Sequence, residues 1–532
     1  MKNRNEKIAN AILISAIVLT ALFLRIYKID SIPAGIYPDE SVNGTDAILA
    51  NETGDYKIFY TNNYGREGLF MNLISFSIKI FGNTILGIKF WSILFGTLTV
   101  LGIYLLTKEL FRSTRSGLIA AYLLAFSFWA INFSRISFRA IMVPFLLTFS
   151  FYFLFRGLRT KHYLNFILAG LIFGLGFHTY IAFRIAPLIL VSLFIILLIN
   201  RKNFLKENWK PIIVFAIAIL VVVSPMLYDF VKHPEHFQSR SGSISVFSSE
   251  VNKGHLFETL GKSLGLSLIK YNFWGDQNWR HNYPPYPILN PIAGFFFLTG
   301  LIYLVIKTAH LLILRFRHGV RDKKFEIYLF LLAWFVVMLM PEFLTAEGLP
   351  HALRSIGTMP VVFIIATISI LWVLGRAGRA GYFFKLSVIS LLAIAFISIG
   401  ATETIKYFVF WNHRPEQHGQ FNENLKNMSL YLNSTPASIH KYVFVNGSGK
   451  IMEDGLPISA HVIKYLTYRK AGEVIFLKRG SDIVLEKPMV IILMGYNQGV
   501  IDRLKTFYPN AKVEKIDSRP GYPSDFIAVI IN

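Results

Sequence analysis

A chain of 532 residues that is 54% hydrophobic, 15% aromatic and only 16% charged departs from soluble domains, which carry about 25% charged residues. Its formal charge of +23 would point to nucleic acid in a soluble protein, but here the basic residues sit in short loops between apolar runs, where they set orientation in a membrane. Nucleic-acid binding, disorder, coiled coil and a disulfide scaffold are excluded, and the absence of cysteine removes a thiolate nucleophile and a Cys-ligated zinc.

Hydropathy predicts eleven spans, near residues 8–27, 84–106, 116–132, 140–155, 163–180, 185–199, 211–228, 288–306, 326–341, 359–375 and 382–400. The first is a retained span and not a cleaved signal, because Arg25-Ile26-Tyr27-Lys28 follows it in place of a small-residue cleavage site. Placing the N-terminus in the cytoplasm puts Lys2, Arg4, Lys7, Lys108, Arg112, Arg115, Arg156, Arg159, Lys161 and the clusters 201–210, 315–324 and 376–385 inside. Far fewer basic residues lie in the short outer loops: Lys28, Lys57, Arg66, Lys79, Arg135, Arg139, Arg184 and Arg354. That bias fixes orientation. The expectation is a polytopic α-helical protein of the plasma membrane, with about eleven transmembrane helices in residues 1–400. An odd number of spans sends residues 401–532 outside as an extracytoplasmic α/β domain.

The first outer loop, 28–83, holds Tyr37-Pro38-Asp39-Glu40 at a helix start, followed by Asn43 and Asp46. Capping and dipole complementation account for one acid. Two adjacent acids near the membrane surface suit a group with a perturbed pKa. Downstream, Asn63-Tyr64-Gly65-Arg66-Glu67-Gly68 leads into Leu69, Phe70, Leu73, Ile74, Phe76 and Ile78. This pattern predicts an amphipathic helix that lines a route for lipid or packs on neighbouring spans.

Later outer turns carry the cations. Arg135 and Arg139 flank the turn between spans three and four, and His178, Tyr180 and Arg184 occupy the next. Each alone suits an interfacial anchor as well as a ligand contact. The long outer segment 229–287 contains Asn272-Phe273-Trp274-Gly275-Asp276-Gln277-Asn278-Trp279-Arg280-His281, a concentration of aromatic and hydrogen-bonding groups suited to sugar or acceptor. Asp276 and His281 raise the thought of a divalent metal, but no clear ligand spacing appears, so none is assigned. The loop between spans nine and ten carries Glu342, Glu347, His351 and Arg354; in a helix His351 and Arg354 would share a face and meet a lipid phosphate together. In the tail, strand-like runs at 442–445, 473–477, 489–494 and 526–531 alternate with helical patterns near 457–470 and 497–507. Gly447-Ser448-Gly449 reads as a turn after a strand and not as a nucleotide site.

Tyr37-Pro38-Asp39-Glu40 in a long first outer loop, two loop helices, and Leu86-Gly87-Ile88-Lys89-Phe90-Trp91 opening span two resemble the C-type membrane glycosyltransferases, and within them the protein O-mannosyltransferase and aminoarabinose transferase branch. The resemblance covers about residues 8–400 and implies a polyprenyl-phosphate-linked sugar as donor, an acidic first-loop residue as base, and a protein, lipid or glycan acceptor. Carried onto this chain, the base is Asp39 with Glu40 beside it. Many relatives place an acid shortly after the arginine of the third-to-fourth turn; here Ala140, Ile141 and Met142 follow Arg139, which leaves a second catalytic acid there in doubt.

The chemistry of such a donor fits the residues. A phosphate leaving group needs little protonation, so inverting displacement asks only for a carboxylate to take the acceptor proton and for cations to hold the phosphate. Arg139, Arg184, His351 and Arg354 are the phosphate candidates. Tyr37, Glu67, His178, Tyr180, Asp276, Asn278, Arg280 and His281 are the substrate-contact candidates, and no cofactor is implied. Two other readings stay open: a polymerase, ligase or oligosaccharyltransferase using a diphosphate-linked glycan, and a transporter or lipid flippase. The latter predicts ionisable residues near mid-membrane in paired repeats, whereas the ionisable residues here map to one surface and no internal repeat is visible.

Overall fold

The computed structural model describes residues 2–238, 245–447, 449–478 and 485–532. Among the described residues nine helices are long and apolar enough to cross a membrane, and the protein is an integral membrane protein. A tenth span, Thr114–Phe126 with Phe128–Ser134, is bent by 63°, and Tyr163–His178 is a shorter apolar helix. Each of the eleven expected spans therefore falls on an apolar helix, nine of them unbroken and of full length.

The described chain forms two compact units: residues 1–27, 92–134 and 139–407, and residues 28–91, 135–138 and 408–532. The first outer loop thus groups with the C-terminal segment, where the sequence had divided the chain at residue 400.

The first unit is helical. Met359–Ile370 is buried on every face of its helix, as expected of a span surrounded by others. Gly300 of helix Pro291–His318 lets that helix approach closely, since a Cβ there would stand 2.3 Å from the carbonyl oxygen of Ile365. The bend after Phe126 exposes the N–H groups of a new helix start. Glu403 answers one of them, its Oε2 accepting from Phe128 N at 2.7 Å. Arg25, fully buried, closes the end of the first helix by donating to Ser134 Oγ at 3.0 Å, Ala21 O at 2.9 Å and Ala125 O at 3.3 Å.

The second unit contains a five-stranded sheet in the order 474–477, 440–444, 489–493, 526–531, 512–516. Its first three strands are parallel and the last two join antiparallel. Met489–Leu493 is buried at every position, the mark of a central strand covered on both faces. Tyr442, Ile491, Leu493, Val529 and Ile531 pack with Ile501, Leu504 and Tyr508 of the covering helix and its end. The four expected strands and both helical stretches are present; Ser448 of the glycine pattern lies outside the described residues. Lys512–Ile516 is a fifth strand that the sequence reading passed over. Two loop helices, Pro38–Thr53 and Leu69–Phe81, and the helices Pro415–Gln420, Glu423–Ser434 and Ala460–Thr467 also belong to the unit.

Candidate active site

The chain enters helix Pro38–Thr53 through Tyr37, whose extended backbone and following proline set the helix start. Glu40 closes a capping box, accepting from Tyr37 N at 3.0 Å through Oε1. Its other oxygen accepts from Ser137 N at 2.7 Å and lies 3.8 Å from Lys89 Nζ. Glu40 and Lys89 are both fully buried. Burial pushes the Glu40 carboxyl above its ordinary value, against the pull of Lys89 and the two backbone N–H groups, with Asp39 adding to the rise. Glu40 is therefore a cap and a tie within the unit, each of its oxygens engaged by a backbone N–H.

Asp39 is different. It is only partly buried, and Asn63 Nδ2 donates to its Oδ1 at 2.6 Å. Asn63 precedes Tyr64 in a turn where both have positive φ, 50° and 66°, a backbone form rare outside glycine. Two turns further along the same helix, Asp46 pairs with buried Arg66 of the following loop, whose NH1 donates to Asn43 Oδ1 at 2.6 Å. Asn43 Nδ2 in turn donates to Ser137 O at 3.1 Å. Glu67 is buried on the short strand Arg66–Glu67 that pairs with Phe59–Tyr60. The Tyr37 ring meets Phe138 edge-on at 6.0 Å.

The cations expected for a phosphate belong to the first unit, and the carboxylates Asp39 and Glu40 belong to the second. The Arg139 guanidinium lies 5.3 Å from the centre of the Tyr180 ring. Arg184 is held between Phe230 at 4.8 Å and Phe237 at 5.1 Å and donates to Phe237 O at 2.6 Å. His178 Nε2 is 2.8 Å from Val222 O. Arg354 pairs with Glu347 at 3.0 Å and donates to Thr345 Oγ1 at 3.0 Å. Residues 351–355 form turns and not a helix, so His351 and Arg354 do not share a helical face; Arg354 N instead reaches His351 Nδ1 at 3.4 Å.

In the same unit the structure gathers Asp276, His281 and His351, whose candidate ligand atoms lie within 4.8 Å of one another. His281 Nδ1 is 2.9 Å from Asp276 Oδ2, which also accepts from Ala352 N at 2.7 Å. Burial works against the Asp276 charge, yet His281, His351 and the Ala352 N–H hold its carboxyl below the usual aspartate value. Burial, then the nearby charges of His281, Arg354 and Arg280, push His351 well below the usual imidazole value in spite of Asp276. Asn278 Oδ1 accepts from Arg280 N and Nε, both at 3.0 Å, while Arg280 O accepts from Asn132 Nδ2 at 2.6 Å. Sequence reasoning had Asp276 and His281 but not their meeting with His351, which is distant in sequence. It named Lys89 only within the run that opens span two and gave it no role, although a lysine inside an apolar span start was the available signal; its Nζ has no hydrogen-bond partner among the described residues.

Residues 69–228 match the family of dolichyl-phosphate-mannose-protein mannosyltransferases. ArnT from Cupriavidus metallidurans is similar in structure over 99% of this chain and 98% of its own, with 10% identity and a TM-score of 0.55. The fold is shared with ArnT. The same ArnT bound to undecaprenyl phosphate matches at a TM-score of 0.53, with 10% identity over 98% of this chain and 97% of its own. The archaeal oligosaccharyltransferase AglB from Archaeoglobus fulgidus, in complex with an inhibitory peptide and a dolichol-phosphate, matches at 0.51 with 15% identity over 87% of this chain. The chain spans 64% of the length of that oligosaccharyltransferase. No curated protein matches significantly. The resemblance to the mannosyltransferase and aminoarabinose transferase branch thus rests on a matched sequence segment and on a shared fold along nearly the whole chain.

Proposed function

We propose that this protein transfers a sugar from a polyprenyl-phosphate donor to an acceptor hydroxyl at the outer face of the membrane, with inversion at the anomeric carbon. The observation that carries this reading is the division of labour between the two first-loop acids. Glu40 is consumed by the helix cap and Ser137, whereas Asp39 is partly exposed at the same helix start and oriented by Asn63. A carboxylate fixed by one side-chain amide keeps lone pairs for an acceptor hydroxyl. Asp39 is the base, and Glu40 is the group that holds its helix turn in place.

The acceptor oxygen attacks the anomeric carbon as the bond to the phosphate oxygen breaks; Asp39 takes the proton and the lipid phosphate leaves as an anion. Arg139, Arg184 and Arg354 are the groups we assign to that phosphate, because a guanidinium keeps its charge and presents a planar fork of donors. His351 is set apart from them, because an imidazole held neutral offers little to an anion. Tyr37, Glu67, His178, Tyr180, Asn278 and Arg280 are proposed to line substrate. The donor is of the undecaprenyl or dolichyl phosphate class, the lipids that the similar structures hold, the N-terminus is cytoplasmic and residues 401–532 lie outside.

The test is transfer by purified protein from a panel of labelled polyprenyl-phosphate and polyprenyl-diphosphate sugars, comparing wild type with Asp39→Asn. Loss of a general base costs about 10²–10⁴-fold in rate, so a drop of that order with a monophosphate donor is expected. Full turnover by Asp39→Asn removes that residue from the base role. Turnover with diphosphate donors alone favours an oligosaccharyltransferase or polymerase, and failure of every donor favours a transporter.

A further inference from the structure

We propose that Asp276, His281 and His351 form a binding site for one divalent cation of the zinc class, which ties the long outer segment 229–287 to the loop between helices Lys323–Phe343 and Met359–Ala377. All three residues belong to the same compact unit, and the site stands independently of the glycosyl-transfer reading.

Three side chains with metal-binding atoms within 4.8 Å of one another need little movement to close on an ion. Ligands about 2.0–2.2 Å from zinc stand roughly 3–4 Å apart. Asp276 and His281 are almost completely buried, at 2% and 3% exposure, so closure does not compete with a mobile solvated surface. The surrounding backbone is already fixed. Glu342 Oε1 accepts from His351 N at 2.9 Å, and Asp276 Oδ2 accepts from Ala352 N at 2.7 Å. Glu342 is itself held by an ion pair with buried Lys270. The His281 ring is stacked on Phe133 at 5.5 Å and lies 4.8 Å from the His351 ring. Ligands placed by a second layer of hydrogen bonds and packing are the usual design of a metal site.

The donor set selects the ion. Two imidazoles with one carboxylate favour zinc and its neighbours over magnesium or calcium, which prefer oxygen. His281 Nδ1 and Asp276 Oδ2 already face each other at 2.9 Å, close to the separation of two ligands on one zinc, so the ion takes the place of the hydrogen bond between them. The Asp276 carboxylate has three recorded donors, Asn278 N, Ala352 N and His281, of about four positions it offers. The charge of Arg354, which would oppose a cation, is met by Glu347 at 3.0 Å.

A second group, His233, Glu235 and His236, also has ligand atoms within this distance, but it is largely exposed and supplies the control. The full-length protein in detergent is stripped with chelator, incubated with zinc chloride, dialysed and assayed for bound zinc and for thermal unfolding. The expected result is one zinc per chain with a higher Tm for wild type. His351→Ala loses both the ion and the Tm increase, and the double variant His233→Ala/His236→Ala keeps them. Because Asp276 and His281 are buried, His351→Gln serves as a milder second variant, expected to fold like wild type without zinc and to lose the zinc-dependent increase. Absence of stoichiometric zinc from wild type overturns the proposal, as does retention by both His351 variants or loss in the control alone.

Discussion

At the level of single residues, Asp39 and Glu40 are neighbours with opposite fates. A sequence shows two acids at a helix start; it does not show which will be used by the chain itself. The decision is made by Ser137, nearly a hundred residues away, whose N–H takes the second oxygen of Glu40. This also gives Glu40 a recognisable pH signature. Burial raises its pKa above the ordinary 4.5, so folding favours its protonated form. Its stabilising contribution is complete below the unfolded value and is lost as pH rises through the folded one. Glu40→Gln does not titrate. The Tm of wild type relative to this variant is therefore expected to fall as pH rises from about 4.5. A difference that stays flat with pH would show that Lys89 keeps Glu40 ionised in the folded protein and that its burial is fully compensated.

At the level of elements, helix Pro38–Thr53 is positioned by the C-terminal helix Ala460–Thr467 of the same unit. Thr45 Oγ1 is 2.9 Å from His461 Nδ1, and His461 Nε2 is 3.4 Å from Asp454. Tyr465 lies against Gly44 so closely that a Cβ there would stand 2.5 Å from its ring and 2.9 Å from Ile88. The ring cannot simply swing away, because its hydroxyl donates to Thr84 O at 3.0 Å. Gly44→Ala is thus expected to cost about 1–3 kcal/mol by overpacking. Tyr465→Ala is expected to cost about 3–5 kcal/mol by leaving a cavity, and the double variant less than the sum by more than about 0.5 kcal/mol. Unfolding of the four proteins in one detergent checks this, and strict additivity would show that the two residues do not oppose each other. None of this contact was legible from the sequence, where Gly44 and Tyr465 stand far apart and the tail was given no role in positioning the first loop. Patterns that depend on neighbours in sequence were legible: the apolar run 489–493, the spans, the amphipathic helix Leu69–Phe81. That helix buries Phe70, Met71, Ile74 and Ile78 while leaving Phe76 and Ile80 exposed. Strand Lys512–Ile516 was missed because Lys512, Glu514 and Lys515 give an edge strand the look of a polar loop. The gathering of His351 with Asp276 was missed because metal ligands so far apart carry no spacing signal.

At the level of the whole molecule, orientation in the membrane is the expectation on which the donor's side depends. The basic residues of the short loops predict cytoplasmic placement for the turn around Lys202 and external placement for residues 401–532. A chain without cysteine allows this to be tested with no background from native thiols. Lys202 is exposed in a turn between two span-length helices, and Tyr496 is 71% exposed after a strand of the C-terminal sheet. Neither is assigned to the site. Tyr496→Cys is expected to react with a membrane-impermeant maleimide in intact cells, and Lys202→Cys only after permeabilisation. The reverse pattern would mean either that the orientation is inverted, which puts Asp39 on the cytoplasmic side with the donor presented on the inner leaflet, or that one span before Lys202 does not cross. Labelling of both positions in intact cells would mean that an odd number of crossings does not separate them. One of the five helices that lie between them, Phe204–Lys232, Pro291–His318, Lys323–Phe343, Ile356–Ala377 and Tyr382–Trp411, would then not cross, or a further segment between them would. Among the described residues Tyr163–His178 and the bent pair are the two expected spans that depart from an unbroken, full-length helix, and both precede Lys202. Loss of either, with the N-terminus still cytoplasmic, exchanges the sides of Lys202 and Tyr496 together. A further cysteine in the turn at Lys161 decides between them, being external if the bent pair does not cross and cytoplasmic if Tyr163–His178 does not.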